Sequence, residues 1–517
     1  MVEKVALLIV FFVVTIGVGI YFRKSATNVD GFVLGGRAVG PWLTAFAYGT
    51  SYFSAVVFVG YAGQFGWRYG LAATWIGLGN ALIGSLLPWV ILGRRTRIMT
   101  RHLGSATMPE FFAKRFNSTA IKIAASIIVF VFLIPYTASL YNGLSRLFEM
   151  AYGIDFTICI IAMAVLTGIY VIAGGYVGSA FNNFIQGIIM LIGIVAVISA
   201  VLASQGGFSA ALDSLARVED AAVSSTPGIF ASFFGPDPVG LLGVVILTSL
   251  GTWGLPQMVG RFYAIKSEKA IFKGTVISTI FAIFIAGGSY FLGSFGRLFG
   301  NGESLPPNGF DSIIPSMVSE FSPLLIGLII IMVLAASIST LSSLVMASAS
   351  TFTLDFLKDH FIKKMSDKKQ LLSIRLLVVV FIVISSIIAI LQYNTPGGIG
   401  FIAQLMGVSW GALAGSFLAP FLYSLYWKRV SKISVWCSFL FSSLLMIANV
   451  LFRPSFPVII QSPINAGAFA MLAGLVIVPV VSLLTPKPSA EQVDSCFSCY
   501  EETVTVKRKE DLGTDTV

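Results

Sequence analysis

Between Ala335 and Leu344 the chain reads AASISTLSSL, and Ser337, Ser339, Thr340, Ser342 and Ser343 in it all carry hydroxyls. They sit inside an apolar run that begins near Pro323 and meets no charge until Asp355. Oxygen ligands suit a small hard cation, and neutral carbonyls and hydroxyls are enough to hold one reversibly in a dry cavity. Residues three and four apart share a helix face, so Ala336, Ser339, Thr340, Ser343 and Ala347 form one stripe. The same stripe also suits a tight helix–helix contact, or hydroxyls bonded to the carbonyl four residues back. Which use applies depends on the elements that position it.

Those elements are membrane helices. Of 517 residues, 56% are hydrophobic and only 11% charged, and mean hydropathy is +0.90; a soluble chain carries about a quarter charged residues. About 13 apolar runs are long enough to cross a hydrocarbon core of roughly 30 Å, so the sequence predicts an all-α polytopic membrane protein. Alternate loops gather most of the Lys and Arg, among them Arg94, Arg95, Arg97, Arg115, Lys122, Arg261, Lys363, Lys364, Lys428 and Lys507–Lys509. By the positive-inside rule these loops are cytoplasmic, with the N-terminus outside and the C-terminus inside. The net charge of +10 then records topology and calls for no nucleic-acid partner.

Two runs are interrupted. PWLTAFAYGTSYFSAVVFVGYAGQFGW, from Pro41, carries Gly49, Thr50, Ser51 and Ser54 at its midpoint, and the seventh run holds Gly251, Gly254 and Pro256. Glycine and proline weaken helical geometry, and backbone freed at membrane depth survives only where protein or a polar cavity satisfies it. Each cluster alone is also compatible with a packing kink. The two runs are five apart, however, and an odd spacing inverts the second copy, which is the inverted-repeat plan of secondary transporters with a site at the breaks. No Asp or Glu lies mid-span in either the second run or the hydroxyl-bearing ninth, so a cation there would meet neutral dipoles only.

At this point four stretches resemble the sodium:solute symporter family: FVLGGRAVGPW (Phe32–Trp42), TMPEFFAKRF (Thr107–Phe116), AASISTLSSL, and GALAGSFLAPFLYSLYWKR (Gly411–Arg429). The resemblance implies a LeuT-type fold of inverted five-helix repeats working by alternating access. It implies an extra helix and loop over 1–40, a first repeat over 41–203 and an extracellular loop over 204–236. A second repeat over 237–426, two further helices over 427–485 and a cytoplasmic tail over 486–517 complete the plan. It also implies a Na⁺ site built from the carbonyls of Thr50, Phe53 and Ala336 and the hydroxyls of Ser339 and Thr340. Some members place an Asp in the loop before the sixth span for a second Na⁺; Asn183 stands at that position here, which favours one Na⁺ per cycle. Where the sodium/proline carrier has an essential Asp, this chain has Tyr52.

For the solute, Ser51, Tyr52, Ser54, Trp75, Trp253, Pro256, Gln257 and Gln404 are candidate contacts, since aromatics can cap a solute that hydroxyls and amides orient; each also suits interhelical packing. No mid-membrane Arg or Lys is expected as a carboxylate clamp, but free amides at a half-helix end can serve one. The reading favours an amino acid or small carboxylate over a sugar or vitamin, and Na⁺ over proton coupling, there being no mid-membrane carboxylate or histidine to titrate. A passive channel fits less well and an enzyme not at all, for no nucleophile–base pair or phosphate loop is found. Cys496 and Cys499 form a single CxxC, half of what a zinc site needs, in what reads as a mobile tail. The expected partners are thus a small solute, sodium and the lipid bilayer; the sequence is silent on oligomeric state.

Overall fold

The computed structural model describes residues 2–299, 309–319, 321–362, 365–394 and 402–501; Lys363, Lys364 and Lys507–Lys509, used above for orientation, lie outside them. The described chain is helical. In order, its main helices are α1 (Val2–Tyr21), α2 (Pro41–Tyr52), α3 (Ala62–Tyr69), α4 (Thr74–Ala81), α5 (Arg94–His102), α6 (Met108–Phe116), α7 (Thr119–Tyr152) and α8 (Phe156–Ser204). Then come α9 (Pro238–Gly254), α10 (Pro256–Ala264), α11 (Glu268–Ala282), α12 (Pro323–Thr351), α13 (Asp367–Asn394) and α14 (Ile402–Tyr426), followed by α15 (Lys432–Leu451), α16 (Pro463–Leu484) and α17 (Ala490–Phe497).

Among the described residues, ten helices are long and apolar enough to span a bilayer, or eleven if the bent pair α9–α10 counts as one. Two neighbouring pairs of the 13 expected runs are each joined in one helical stretch. The fifth and sixth runs form one 49-residue helix, α8, interrupted only at Gly175 (φ 54°, ψ −153°). The second and third join in a 47-residue helical run from Val56 to His102, which turns at Gly70 (φ 58°). At 1.5 Å per residue each is about twice what a bilayer needs, so a backbone break inside the run stands in for a loop.

Position in the bundle follows composition. In α12, which carries the hydroxyl stripe, 83% of the most apolar window is buried, against 17% in α1; α12 is a central strut and α1 a lipid-facing helix. Small residues let helices touch backbone to backbone. A Cβ on Gly66 would lie 2.0 Å from the Gly293 carbonyl, and one on Gly293 2.0 Å from the Ala62 carbonyl oxygen.

The segment after α16 is docked, in contrast to the mobile tail expected. Val493, Cys496, Phe497 and Cys499 are buried. Asp494 pairs with Lys428 at 2.9 Å, and the Gln492 amide donates to the Arg115 carbonyl at 3.1 Å. Tyr500 donates to the Arg95 carbonyl at 3.0 Å, while the Arg95 guanidinium lies 4.6 Å from the Tyr500 ring centre. Two cations at helix ends thus recruit an aromatic hook whose CxxC reads in sequence as a linker.

Candidate functional site

Both interrupted runs break near their clusters of glycine, serine and proline. Helix α2 ends at Tyr52, and Phe53 is extended (φ −102°, ψ 102°); the chain re-enters helix through a π-wound turn, Val56–Tyr61. Helices α9 and α10 meet at Leu255, also extended (φ −78°, ψ 121°), with a bend of 44°.

The first break faces α12. Past Tyr52 the backbone leaves the helix, and the Thr50 carbonyl is met from α12 instead: Ser339 Oγ donates to it at 3.0 Å and Thr340 Oγ1 at 3.1 Å. The same two hydroxyls lie 2.9 and 3.0 Å from the Ala336 carbonyl oxygen. Two carbonyls and two hydroxyls therefore converge in fully buried surroundings. A hydroxyl can turn its proton away and offer a lone pair, so all four groups are oxygens of the kind a small hard cation takes. Phe53 shares with Ala336 the wall of an adjoining cavity of about 10 Å³. The other stripe hydroxyls have separate partners: Ser337 bonds the Val333 carbonyl, Ser342 meets Ser179 at 2.9 Å, and Ser343 meets Ser51 at 2.7 Å.

Sequence reasoning missed Arg261. Its place near the end of a run marks it as a loop cation, yet it is buried at 4% exposure, and its guanidinium donates to Ser51 Oγ at 2.8 Å and to Ser343 Oγ. A buried cation is therefore present close to the first break, against Ser51, the residue following Thr50, and against Ser343, one helical turn from Ser339. The bend at Leu255 carries α10 inward; the GRF sequence gives no sign of that, although a break so close upstream is a reason to test where Arg261 points. Gln257 and Pro256 line, with Arg261, Ser343 and Thr107, a crevice of about 70 Å³ on this flank.

The remaining solute candidates divide. Tyr52 is buried, stacks on Phe53 with ring centres 4.2 Å apart, and donates to the Thr248 carbonyl at 2.6 Å. Trp253 donates to the Ile83 carbonyl at 2.8 Å. Tyr48 and Thr252 both reach the Gly84 carbonyl at 2.8 Å. Ile83 and Gly84 belong to a π-wound turn, Leu82–Leu86, so one widened turn ties both broken spans together. Ser54 Oγ accepts from the Val56 amide at 3.2 Å. Two candidates stand apart: Trp75 is half-exposed and donates to the Phe233 carbonyl at 2.9 Å, and Gln404 accepts from Arg453 at 2.9 Å. Asn183 lies in the second segment of α8, beyond the Gly175 break, and not in a loop; it is buried, and among the described residues neither side-chain amide atom has a hydrogen-bond partner.

A membrane bundle with oxygens gathered where helices break is the architecture of a secondary solute carrier. The model of the sodium:solute symporter family matches residues 32–438, and the chain belongs to that family. It is 27% identical over 493 residues, 94% of this chain and 96% of the relative, to the osmoregulated proline transporter OpuE of Bacillus subtilis (strain 168). To the sodium/proline symporter 2 of Staphylococcus saprophyticus it is 30% identical over 434 residues, 82% of each chain. The fold is shared with a Na⁺-coupled sialic acid symporter (TM-score 0.72, 18% identity, 94% of this chain and 99% of that one). It is shared more distantly with a nucleobase-cation-symport-1 family transporter (TM-score 0.52, 15% identity, 90% and 97%). The protein is a multi-pass sodium-coupled solute symporter, not an enzyme, and Na⁺ is its coupling ion.

Proposed function

We propose that this symporter drives uptake of an amino acid or small carboxylate with one Na⁺ per cycle, the ion being held by Thr50, Phe53, Ala336, Ser339 and Thr340. The observation that carries the site is the approach of the Ser339 and Thr340 hydroxyls to both the Thr50 and the Ala336 carbonyls, all within 3.1 Å. The neutral amide of Asn183, where a carboxylate would serve a second cation, favours a single ion. A small anionic or zwitterionic solute is favoured because the relatives in Bacillus and Staphylococcus are named as proline carriers and because Arg261 brings a buried guanidinium to the break. Solute contacts are proposed at Ser51, Tyr52, Ser54, Trp253, Pro256 and Gln257, with Trp75 and Gln404 at the margin. The plan of two inverted repeats, 41–203 and 237–426, remains our reading of the paired breaks, and the face bearing Arg95, Arg115, Lys122 and Lys428 is taken as cytoplasmic.

One ion suffices energetically. Moving one charge through about 100 mV yields about 2.3 kcal/mol, and a tenfold gradient adds about 1.4 kcal/mol. Together these sustain roughly 500-fold accumulation of a neutral solute. The test is reconstitution into liposomes with a panel of amino acids, carboxylates and sugars, with and without Na⁺, counting charge moved per solute. Na⁺-dependent uptake of an amino acid or carboxylate with one net positive charge per zwitterion is expected. Uptake confined to sugars, unaffected by Na⁺, or carrying two charges per zwitterion would each remove one part of the proposal.

A further inference from the structure

Beyond the ion ligands, α12 continues into a π-wound segment, Phe352–Phe361, in which Asp355 is fully buried. A carboxylate so placed is costly unless charged or hydroxyl groups surround it. Its partners come from two other elements. Thr107 Oγ1 donates to Asp355 Oδ2 at 2.5 Å, and Lys122 Nζ stands 3.3 Å from Oδ1. Thr107 also caps α6, accepting the Glu110 amide at 3.2 Å, and Lys122 is a buried residue of α7. One carboxylate thus fastens the start of α6 and the first turn of α7 to the end of the helix that carries Ser339 and Thr340.

The two partners of Asp355 line different cavities, Thr107 one and Lys122 the other. On one side is the crevice that runs from Arg261 and Ser343 to Ser350, Thr351 and Thr107. On the other is a basin of about 560 Å³ on the basic face, walled by Lys122, Leu354, Glu110 and Lys358. Val33, Leu34 and Ala106 border both cavities. From Ser343 to Thr351 the path along α12 is about 12 Å at 1.5 Å per residue. An ion leaving Ser339 and Thr340 towards the basin passes Ser343 and Arg261, then the crevice, and then meets the plane held by Thr107 and Asp355.

We propose that Asp355, Thr107 and Lys122 form the latch on the cytoplasmic exit: positioning residues that hold α6 and α7 against α12, and that must part before the coupling ion can leave. This rests on the sodium-site reading and on the basic face being cytoplasmic.

The experiment uses the full chain with its four cysteines, Cys159, Cys437, Cys496 and Cys499, replaced by serine and one reporter added: Ala347→Cys in the crevice, or Gln64→Cys in the buried outer half of the second span. A membrane-impermeant maleimide is applied to inside-out vesicles for the first reporter and to right-side-out vesicles for the second. Asp355→Asn and Lys122→Met should each raise the Ala347→Cys labelling rate about tenfold, equivalent to about 1.4 kcal/mol of lost closure. Each should also lower the Gln64→Cys rate, because the two openings exclude one another. An unchanged Ala347→Cys rate, or acceleration at both reporters, which is what mere loosening gives, would overturn the latch. If Asp355→Asn does not reach the membrane, Lys122→Met and Thr107→Val decide the matter by the same two rates. Sodium binding measured separately on Thr340→Val tests the ion site, so its failure is distinguishable from failure of the latch.

Discussion

Replacing Thr340 by valine keeps the β-branch and the volume and removes one oxygen from the cluster at the first break. In the ion-free arrangement that hydroxyl lies 3.1 Å from the Thr50 carbonyl and 3.0 Å from that of Ala336. With Na⁺ bound the contact is of charge-assisted strength, about 1.5–3 kcal/mol, whereas the neutral hydrogen bonds it replaces are worth about 1 kcal/mol each. Because Ser339 still reaches both carbonyls, at 3.0 and 2.9 Å, the loss of the neutral bonds is partly covered and the net deficit falls on the bound state. Since one hydroxyl proton donates one neutral bond, the net deficit is about 0.5–2 kcal/mol, which raises the Na⁺ concentration for half-saturation about 2- to 30-fold. The assay is radioactive sodium binding to purified protein, backed by the Na⁺ dependence of solute uptake. Thr340→Ser retains the oxygen and should stay within about threefold of the parent. A Thr340→Val protein that folds and binds Na⁺ as tightly as the parent would refute the assignment, and with it the role given to this face of α12.

Arg261→Gln removes a cation fixed beside Ser51 and Ser343. Like charges repel even at an effective dielectric of about 20, so apparent Na⁺ affinity should rise; an unchanged or weakened affinity would show that the guanidinium does not act on the ion. Gly84→Ala would place a Cβ 2.2 Å from the Tyr52 hydroxyl, overpacking that costs about 1–3 kcal/mol and lowers the melting temperature in detergent. Adding Tyr52→Phe should recover part of that loss, and no recovery would mean the clash is absorbed elsewhere. Burial raises the Cys496 thiol above its ordinary pKa, with Arg115 acting weakly in the opposite sense. The thiolate is therefore scarce at neutral pH, and maleimide labelling of Cys496 should be slow at pH 7 and quicken as pH rises. Prompt labelling at pH 7 would argue against the docked segment.

How far the sequence could be read is seen best residue by residue. The stripe Ala336, Ser339, Thr340 and Ser343 was legible because helical spacing alone puts those residues on one face, and the breaks at Phe53 and Leu255 because glycine and proline mark where helical geometry fails. How neighbouring spans connect was not, since Gly175 and Gly70 turn the chain inside continuous apolar stretches with no intervening loop, and an apolar window registers hydrophobicity without direction. Arg261 was illegible for a different reason: its side chain follows a 44° bend, and a basic residue near the end of a run reads as a loop charge unless that bend is known. The docking of Phe497 and Tyr500 depends on Arg115 and Arg95, almost four hundred positions earlier in the chain, a distance at which no local pattern carries information.

Gly66 and Gly293 meet with no side-chain atom between them. Most tight contacts can drift over generations, one partner growing as the other shrinks. This seam has no such slack, because each side is already as small as an amino acid can be. Libraries of variants should therefore show two isolated columns of intolerance there, with no second-site suppressor at the opposite position. Any lineage in which one of the pair has changed must also have moved the two helices apart.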